Sequence, residues 1–168
     1  MISSNKNLNQ LATKLGKYLS DNNIRISAAE SCTGGLFGKT ITDIPGCSSW
    51  FDCSLVTYSN EAKMSFLGVK RATLTDHGAV SEEVVREMAE GVSHRSSTEI
   101  GVAVSGIAGP KGGTRLKPVG TVCFGFNYPE TTKTFTKFFD GNREEIRTLS
   151  TEFLLVQLLA VSYTHLRA

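Results

Sequence analysis

Six consecutive residues, Tyr58-Ser59-Asn60-Glu61-Ala62-Lys63, have the types and spacing from which chemistry is most readily built. A run of apolar and hydroxyl residues leads into Tyr58 as a strand, and a helix begins at Asn60. Lys63 then stands on the first turn and a half of that helix. A lysine acts as a general base only when burial removes enough water for it to lose its proton near neutral pH. Two serines upstream, Ser31 and Ser48, are candidate nucleophiles. Hydrolysis through a lysine-activated serine is therefore the first chemistry to test.

Other segments must position or complete such a site. Glu30-Ser31-Cys32-Thr33-Gly34-Gly35 follows a short apolar strand at 24–28 and precedes a helical stretch at 36–40. Ligands of open α/β sheets bind beyond the carboxyl ends of strands. Gly34 and Gly35 let backbone amides approach a ligand, and a helix start favours negative charge. Ser31, Cys32 or Thr33 would present a nucleophile or grip an anion. The plainer alternative is a capping hydroxyl with two glycines for close packing. Cys32 is a thiolate candidate, but no histidine is at hand to serve it.

Gly46-Cys47-Ser48-Ser49 is a small-residue loop that reads either as a turn or as a way to place Ser48 in a cleft. Ser105-Gly106-Ile107-Ala108-Gly109-Pro110-Lys111-Gly112-Gly113-Thr114 follows a second buried strand at 100–105. It offers the amides of a phosphate or oxyanion cradle, although G-x-x-x-x-G-K-[ST] is absent. Arg143 and Arg147 lie one turn apart near the start of the last helix and would clamp a phosphate. Glu144 and Glu145 beside them make a solvated charged face the alternative. His77, in Asp76-His77-Gly78, reads as a turn residue.

Geometry constrains the choice of serine. A straight strand over 50–58 spans about 30 Å, which puts Ser48 and Tyr58 at opposite ends. Ser48 then reaches the lysine only if the strand bends or is shorter, or if the lysine belongs to another subunit. Ser31 sits at a strand end. The residues alone prefer Ser31 but leave the choice open.

With 168 residues, 40% hydrophobic and 20% charged, the chain fits one globular domain over residues 1–160. Residues 161–168 lose the apolar period and read as a tail. The net charge of +2 and the absence of a Lys/Arg run give no reason to expect nucleic acid. No stretch approaches the roughly 20 apolar residues of a membrane span, and the polar start reads as no export signal. The four cysteines and three histidines show no metal-ligand spacing, so neither metal nor cofactor is expected. Scattered cysteines then read as reduced thiols in the cytoplasm.

Leu8, Leu11, Leu15 and Leu19 predict a helix over 7–21. Ser81 caps a helix over 82–92, a hairpin joins strands at 121–127 and 132–139 through Tyr-Pro-Glu, and Asn142 caps a helix over 143–160. The order α, β, α, β, α, α, β, β, β, α predicts an α/β fold, a three-layer α/β/α sandwich with a mixed, mostly parallel sheet.

Together these segments resemble the C-terminal domain of competence-damage-inducible proteins, which also occurs alone as nicotinamide-nucleotide amidohydrolase. The resemblance runs from about Leu8 to the last helix. It rests on Ala29-Glu30-Ser31-Cys32-Thr33-Gly34-Gly35, Val56-Thr57-Tyr58-Ser59-Asn60-Glu61-Ala62-Lys63, His77-Gly78-Ala79-Val80-Ser81-Glu82, Ser105-Gly106-Ile107-Ala108-Gly109-Pro110 and Lys117-Pro118-Val119-Gly120-Thr121. It implies a cytoplasmic, metal-independent serine amidohydrolase, a homo-oligomer that converts nicotinamide mononucleotide and water to nicotinate mononucleotide and ammonia. It implies a Ser/Lys dyad at Ser48 and Lys63, with Tyr58, Ser31, Ser105 and an arginine of the last helix, Arg143 or Arg147, in the same pocket. The substrate-binding set is then Thr33, Gly34, Gly35, Ser105, Gly106, Gly109, Arg143 and Arg147. The chain departs from the family at Cys53-Ser54, where Gly-Gly is usual, and at Lys111, where a small or acidic residue is usual. The competing function is a non-catalytic nucleotide-binding module linked to competence or DNA damage.

Overall fold

The computed structural model describes residues 2–165. The leucine stripe of the first helix, α1 (Ile2–Asp21), is buried at Leu8, Leu15 and Leu19. The helix starts before residue 7, so the apolar period marks its packed face and not its beginning. Five strands follow in one sheet: β1 (Ile26–Glu30), β2 (Phe51–Val56), β3 (Ile100–Gly106), β4 (Thr121–Tyr128) and β5 (Thr131–Phe138). Their spatial order is β2-β1-β3-β4-β5. β1 pairs in parallel with β2 and β3, whereas β3–β4 and β4–β5 are antiparallel. Only β4 therefore runs against the others, and the α/β expectation of a mixed, mostly parallel sheet holds.

The central strands β1 and β3 are buried along almost their whole length, as strands covered on both faces must be. Residues alternate between two cores. Ala28, Val102, Val104, Phe124 and Phe126 pack with α1, α2 (Leu36–Thr42) and α6 (Arg143–His165). Ala29, Ala103 and Cys123 pack with α3 (Asn60–Leu67), α4 (Arg71–His77) and α5 (Glu82–Ser96). Helices on both faces complete the sandwich.

Several boundaries differ from expectation. β1 lies two residues later than 24–28, and β2 has six residues where nine were expected, because Trp50 caps a 3-10 helix (Cys47–Ser49) before it. α4 was missed, its seven residues being too few to show a period, so His77 ends a helix. α6 continues to His165, past the expected helix end at 160, and residues 166–168 of the expected tail lie outside the described residues. The expected caps are present. Ser81 accepts from Val84 N, and Asn142 and Glu145 cap each other's amides reciprocally at the head of α6.

The seat of α3 against α5 is tight. A Cβ on Gly91 would lie 1.9 Å from the Leu67 carbonyl oxygen, a backbone atom that cannot swing away. Gly91→Ala should therefore cost about 1–3 kcal/mol through forced separation of the helices. A thermal melt checks this, and an unchanged Tm would show that the close approach does not matter.

Candidate active site

Lys63 is placed by the capping of α3 at both ends. Ser59 Oγ accepts from Ala62 N at the start, and Gly68 and Val69 donate to the carbonyls of Met64 and Lys63 at the end. Gly68 has φ 73°, the left-handed conformation that glycine adopts without strain. The Lys63 side chain is thereby directed under the sheet edge, where the residue is 1% exposed. Its Nζ lies 3.1 Å from Ser31 Oγ, 2.8 Å from the Thr57 carbonyl and 3.2 Å from the Tyr58 carbonyl. No carboxylate pairs with it among the described residues. Burial lowers its pKa from the ordinary lysine value.

Ser31 reaches this position through the sheet. It follows β1, and its amide donates to the Val104 carbonyl of β3. Glu30 pairs with Val56 of β2 and Val104 of β3, so the next residues in register are Ser31, Thr57 and Ser105. Three hydroxyl residues thus stand side by side at the carboxyl ends of three parallel strands, where open α/β sheets bind ligands. Ser105 Oγ donates to the Ala79 carbonyl at 2.7 Å. Thr57 Oγ1 is buried without a partner among the described residues. Ser31 is 7% exposed, at the rim.

Ser48 is elsewhere. It lies exposed in the 3-10 helix at the amino end of β2, while Lys63 sits at the carboxyl end of that strand. Within one chain the structure brings Ser31 to Lys63 and does not bring Ser48 there. Tyr58 contributes its carbonyl to Lys63, but its exposed hydroxyl lies 3.3 Å from Arg143 Nη2. The Tyr58 phenol therefore faces α6.

The turn after Ser31 is held from within. The Thr33 hydroxyl donates to Glu30 and not outward, and the Gly35 amide does the same. Gly34 N donates to the Ser31 carbonyl. Within this turn the Thr33 amide has no acceptor among the described residues, and the Cys32 amide has none but its own thiol. The Cys32 thiol is pushed up to about 12 by burial, so it stays protonated and is no thiolate nucleophile.

The two arginines meet the site from α6. Arg143 Nη1 donates to the Gly109 carbonyl at 2.7 Å, and Arg147 Nη2 donates to the Thr33 carbonyl at 2.9 Å. Arg147 Nε is buried without a partner among the described residues. Both arginines border a cavity with Leu36, Glu144 and Thr148. The glycine-rich loop is anchored by Gly106 in β3, by Gly109 under Arg143 and by Lys117, whose Nζ donates to the carbonyls of His77 and Val80. Lys111 on that loop is exposed. An apolar cavity of about 540 Å³ between α1, α6 and the β4–β5 turn contains none of these residues.

Two contributors escaped the sequence reading as site residues, Glu30 and Thr57. Glu30 had a visible signal, a carboxylate closing an otherwise uncharged strand. Thr57 had none beyond its place before Tyr58.

The family described as the CinA C-terminal domain matches residues 8–161. A nicotinamide-nucleotide amidohydrolase PncC of Enterobacter agglomerans is 50% identical over 153 residues, which cover 90% of this chain and 93% of that protein. A CinA-like protein of Endomicrobium trichonymphae is 53% identical over 82% of this chain but only 32% of its own length. The crystal structure of a competence or damage-inducible protein from Enterobacter asburiae superposes with a TM-score of 0.89 at 38% identity, covering 92% of this chain and 98% of that one. The chain belongs to the CinA C-terminal domain family.

Proposed function

We propose that this chain is a nicotinamide-nucleotide amidohydrolase, hydrolysing nicotinamide mononucleotide to nicotinate mononucleotide and ammonia through Ser31 and Lys63. The observation that carries the dyad is the buried lysine amine 3.1 Å from the Ser31 hydroxyl. The relatives of this length named for that activity support the substrate. The same reading carries a cytoplasmic, homo-oligomeric enzyme that binds no nucleic acid.

Neutral Lys63 spends its two N–H groups on the carbonyls of Thr57 and Tyr58, which leaves its lone pair toward Ser31. It takes the Ser31 proton as Oγ attacks the carboxamide carbon. The oxyanion is met by the amides of Cys32 and Thr33, donors of a kind worth roughly 3–4 kcal/mol each. The C–N bond then breaks, the Lys63 ammonium protonates the departing nitrogen, and ammonia leaves an acyl ester on Ser31. Water adds to the ester carbonyl and gives a proton to Lys63, which returns it to Ser31 Oγ as the C–O bond breaks.

The 5′-phosphate lies against Arg143, which touches the glycine-rich loop at Gly109, or Arg147, which touches the turn at Thr33, each free of any carboxylate among the described residues. Charge-assisted hydrogen bonds of this kind are worth about 1.5–3 kcal/mol. Replacing the phosphate-binding arginine by alanine should therefore raise KM for the mononucleotide roughly ten- to hundredfold. It should leave turnover of the riboside, which lacks the phosphate, nearly unchanged. The assay is ammonia release from both substrates. Equal losses on both would remove the phosphate assignment, and tight binding without ammonia release would favour a nucleotide-binding module.

A further inference from the structure

Glu30 is 0% exposed, and no cation pairs with it among the described residues. A buried carboxylate survives only when its oxygens are fully hydrogen-bonded. Here five donors converge on it. Oε2 accepts from Thr33 Oγ1 at 2.6 Å, Gly35 N at 3.0 Å and Phe37 N at 3.2 Å. Oε1 accepts from Gly38 N at 2.8 Å and Ser54 Oγ at 2.7 Å. Four donors come from the turn and first helical residues that follow Ser31, and the fifth comes from β2. Ser54 has room because it faces Gly38, where a Cβ would lie 2.7 Å from Ser54 Cβ. One side chain thus ties the nucleophile's turn to both the strand before it and the strand beside it.

We propose that Glu30 is the positioning residue of the Ser31 turn, and that its carboxylate holds Ser31 Oγ in reach of Lys63 and keeps the Cys32 and Thr33 amides away from other oxygen acceptors, for the oxyanion. This rests on the Ser31–Lys63 reading above. By drawing in the amides of Gly35, Phe37 and Gly38, Glu30 takes them out of competition for the substrate. Glu30 touches neither the lysine nor the reacting atoms, so its effect passes through the turn.

Glu30→Gln keeps the shape but turns one acceptor oxygen into an NH₂ group. Hydroxyl donors can rotate away from it, but backbone amides cannot. Whichever way the amide sits, Gly38 N or the pair Gly35 N and Phe37 N faces a donor. A turn displaced by about 1 Å costs on the order of a hundredfold in rate. The experiment measures two things on the parent chain, Glu30→Gln and Thr33→Val. One is the rate at which a fluorophosphonate probe labels Ser31, located by peptide mass. The other is KM and kcat for nicotinamide mononucleotide. Labelling and kcat should fall about a hundredfold in Glu30→Gln, with KM within about threefold of the parent.

Equal labelling by parent and folded Glu30→Gln overturns the proposal, as does a loss that falls on KM alone. If Glu30→Gln does not fold, Thr33→Val decides. It removes one of the five donors and should slow labelling roughly fivefold, and an unchanged rate overturns the proposal. The probe reads serine activation whatever the natural substrate. A parent chain labelled at Ser31 but inert toward the mononucleotide overturns the substrate reading, and the labelling ratio still decides Glu30. A parent chain not labelled at Ser31 overturns both.

Discussion

Ser31→Ala should lower turnover of nicotinamide mononucleotide by roughly 10⁴-fold or more, because a nucleophile and its base act as a unit and losing either removes the covalent route. Ser48→Ala should stay within about twofold, as exposed substitutions remote from a site do. The contrast follows from the sheet. Ser31 Oγ is 3.1 Å from Lys63 Nζ, while Ser48 is exposed at the amino end of β2. Residual activity of Ser31→Ala would come from the oxyanion amides and substrate binding, which survive the change. Ammonia release under saturating substrate measures both variants. The opposite result, an inactive Ser48→Ala with an active Ser31→Ala, would show that a neighbouring copy supplies the nucleophile and would sink the dyad within one chain.

Lys63→Met should lower kcat by roughly 10²–10⁴-fold while leaving KM little changed, since the role proposed for the amine is proton transfer and not ground-state binding. Methionine keeps the volume of the buried stem, so the effect reads the amine and not a cavity. The pH profile gives a second signature. Burial lowers the Lys63 pKa below its ordinary value of 10.5, so the neutral base is populated at lower pH than in a free lysine. Activity should rise with pH through that lowered pKa and then level off. The rising limb should be absent from the residual activity of Lys63→Met.

Stability carries the same ionisation with its own sign. Between the lowered pKa and 10.5 the unfolded chain holds the proton on Lys63 and the folded chain does not. Unfolding therefore takes up a proton, and stability rises with pH across that window. Below the lowered pKa the folded chain must carry a buried cation, and its stability is at its least. Lys63→Met should flatten this contribution in chemical denaturation at several pH values. A parent chain whose stability from this group falls as pH rises would contradict a desolvated amine.

The relation of Glu30 to Ser54 explains how the departure from the family pattern at Cys53-Ser54 is absorbed. The Ser54 hydroxyl donates to Glu30, and its Cβ is accommodated by Gly38 of α2. What reads in sequence as lost small residues behind the site is a further donor to the carboxylate there. Lys111, the other departure, stands exposed on the glycine-rich loop.

The sequence by itself determined the parts that depend on local pattern and on motif order. The leucine stripe of α1, the Ser81 and Asn142 caps, the hairpin at Tyr128-Pro129-Glu130 and the alternation of strands and helices are short-range properties. They hold wherever the chain folds, and five motifs in order make the family legible. Lys63 was legible too, because a capped strand-to-helix junction fixes where a side chain on the first turns is held.

Tertiary structure decided which serine that lysine meets. Ser31 and Lys63 are 32 residues apart in the chain, and their contact depends on β1 lying between β2 and β3 in a register that no local pattern states. It also turned the Tyr58 hydroxyl toward Arg143 and the Thr33 hydroxyl inward to Glu30. The physical reason is the same in each case. A polar side chain takes the partner that is in reach once strands are paired and water is excluded, and sequence separation says little about which partner that will be.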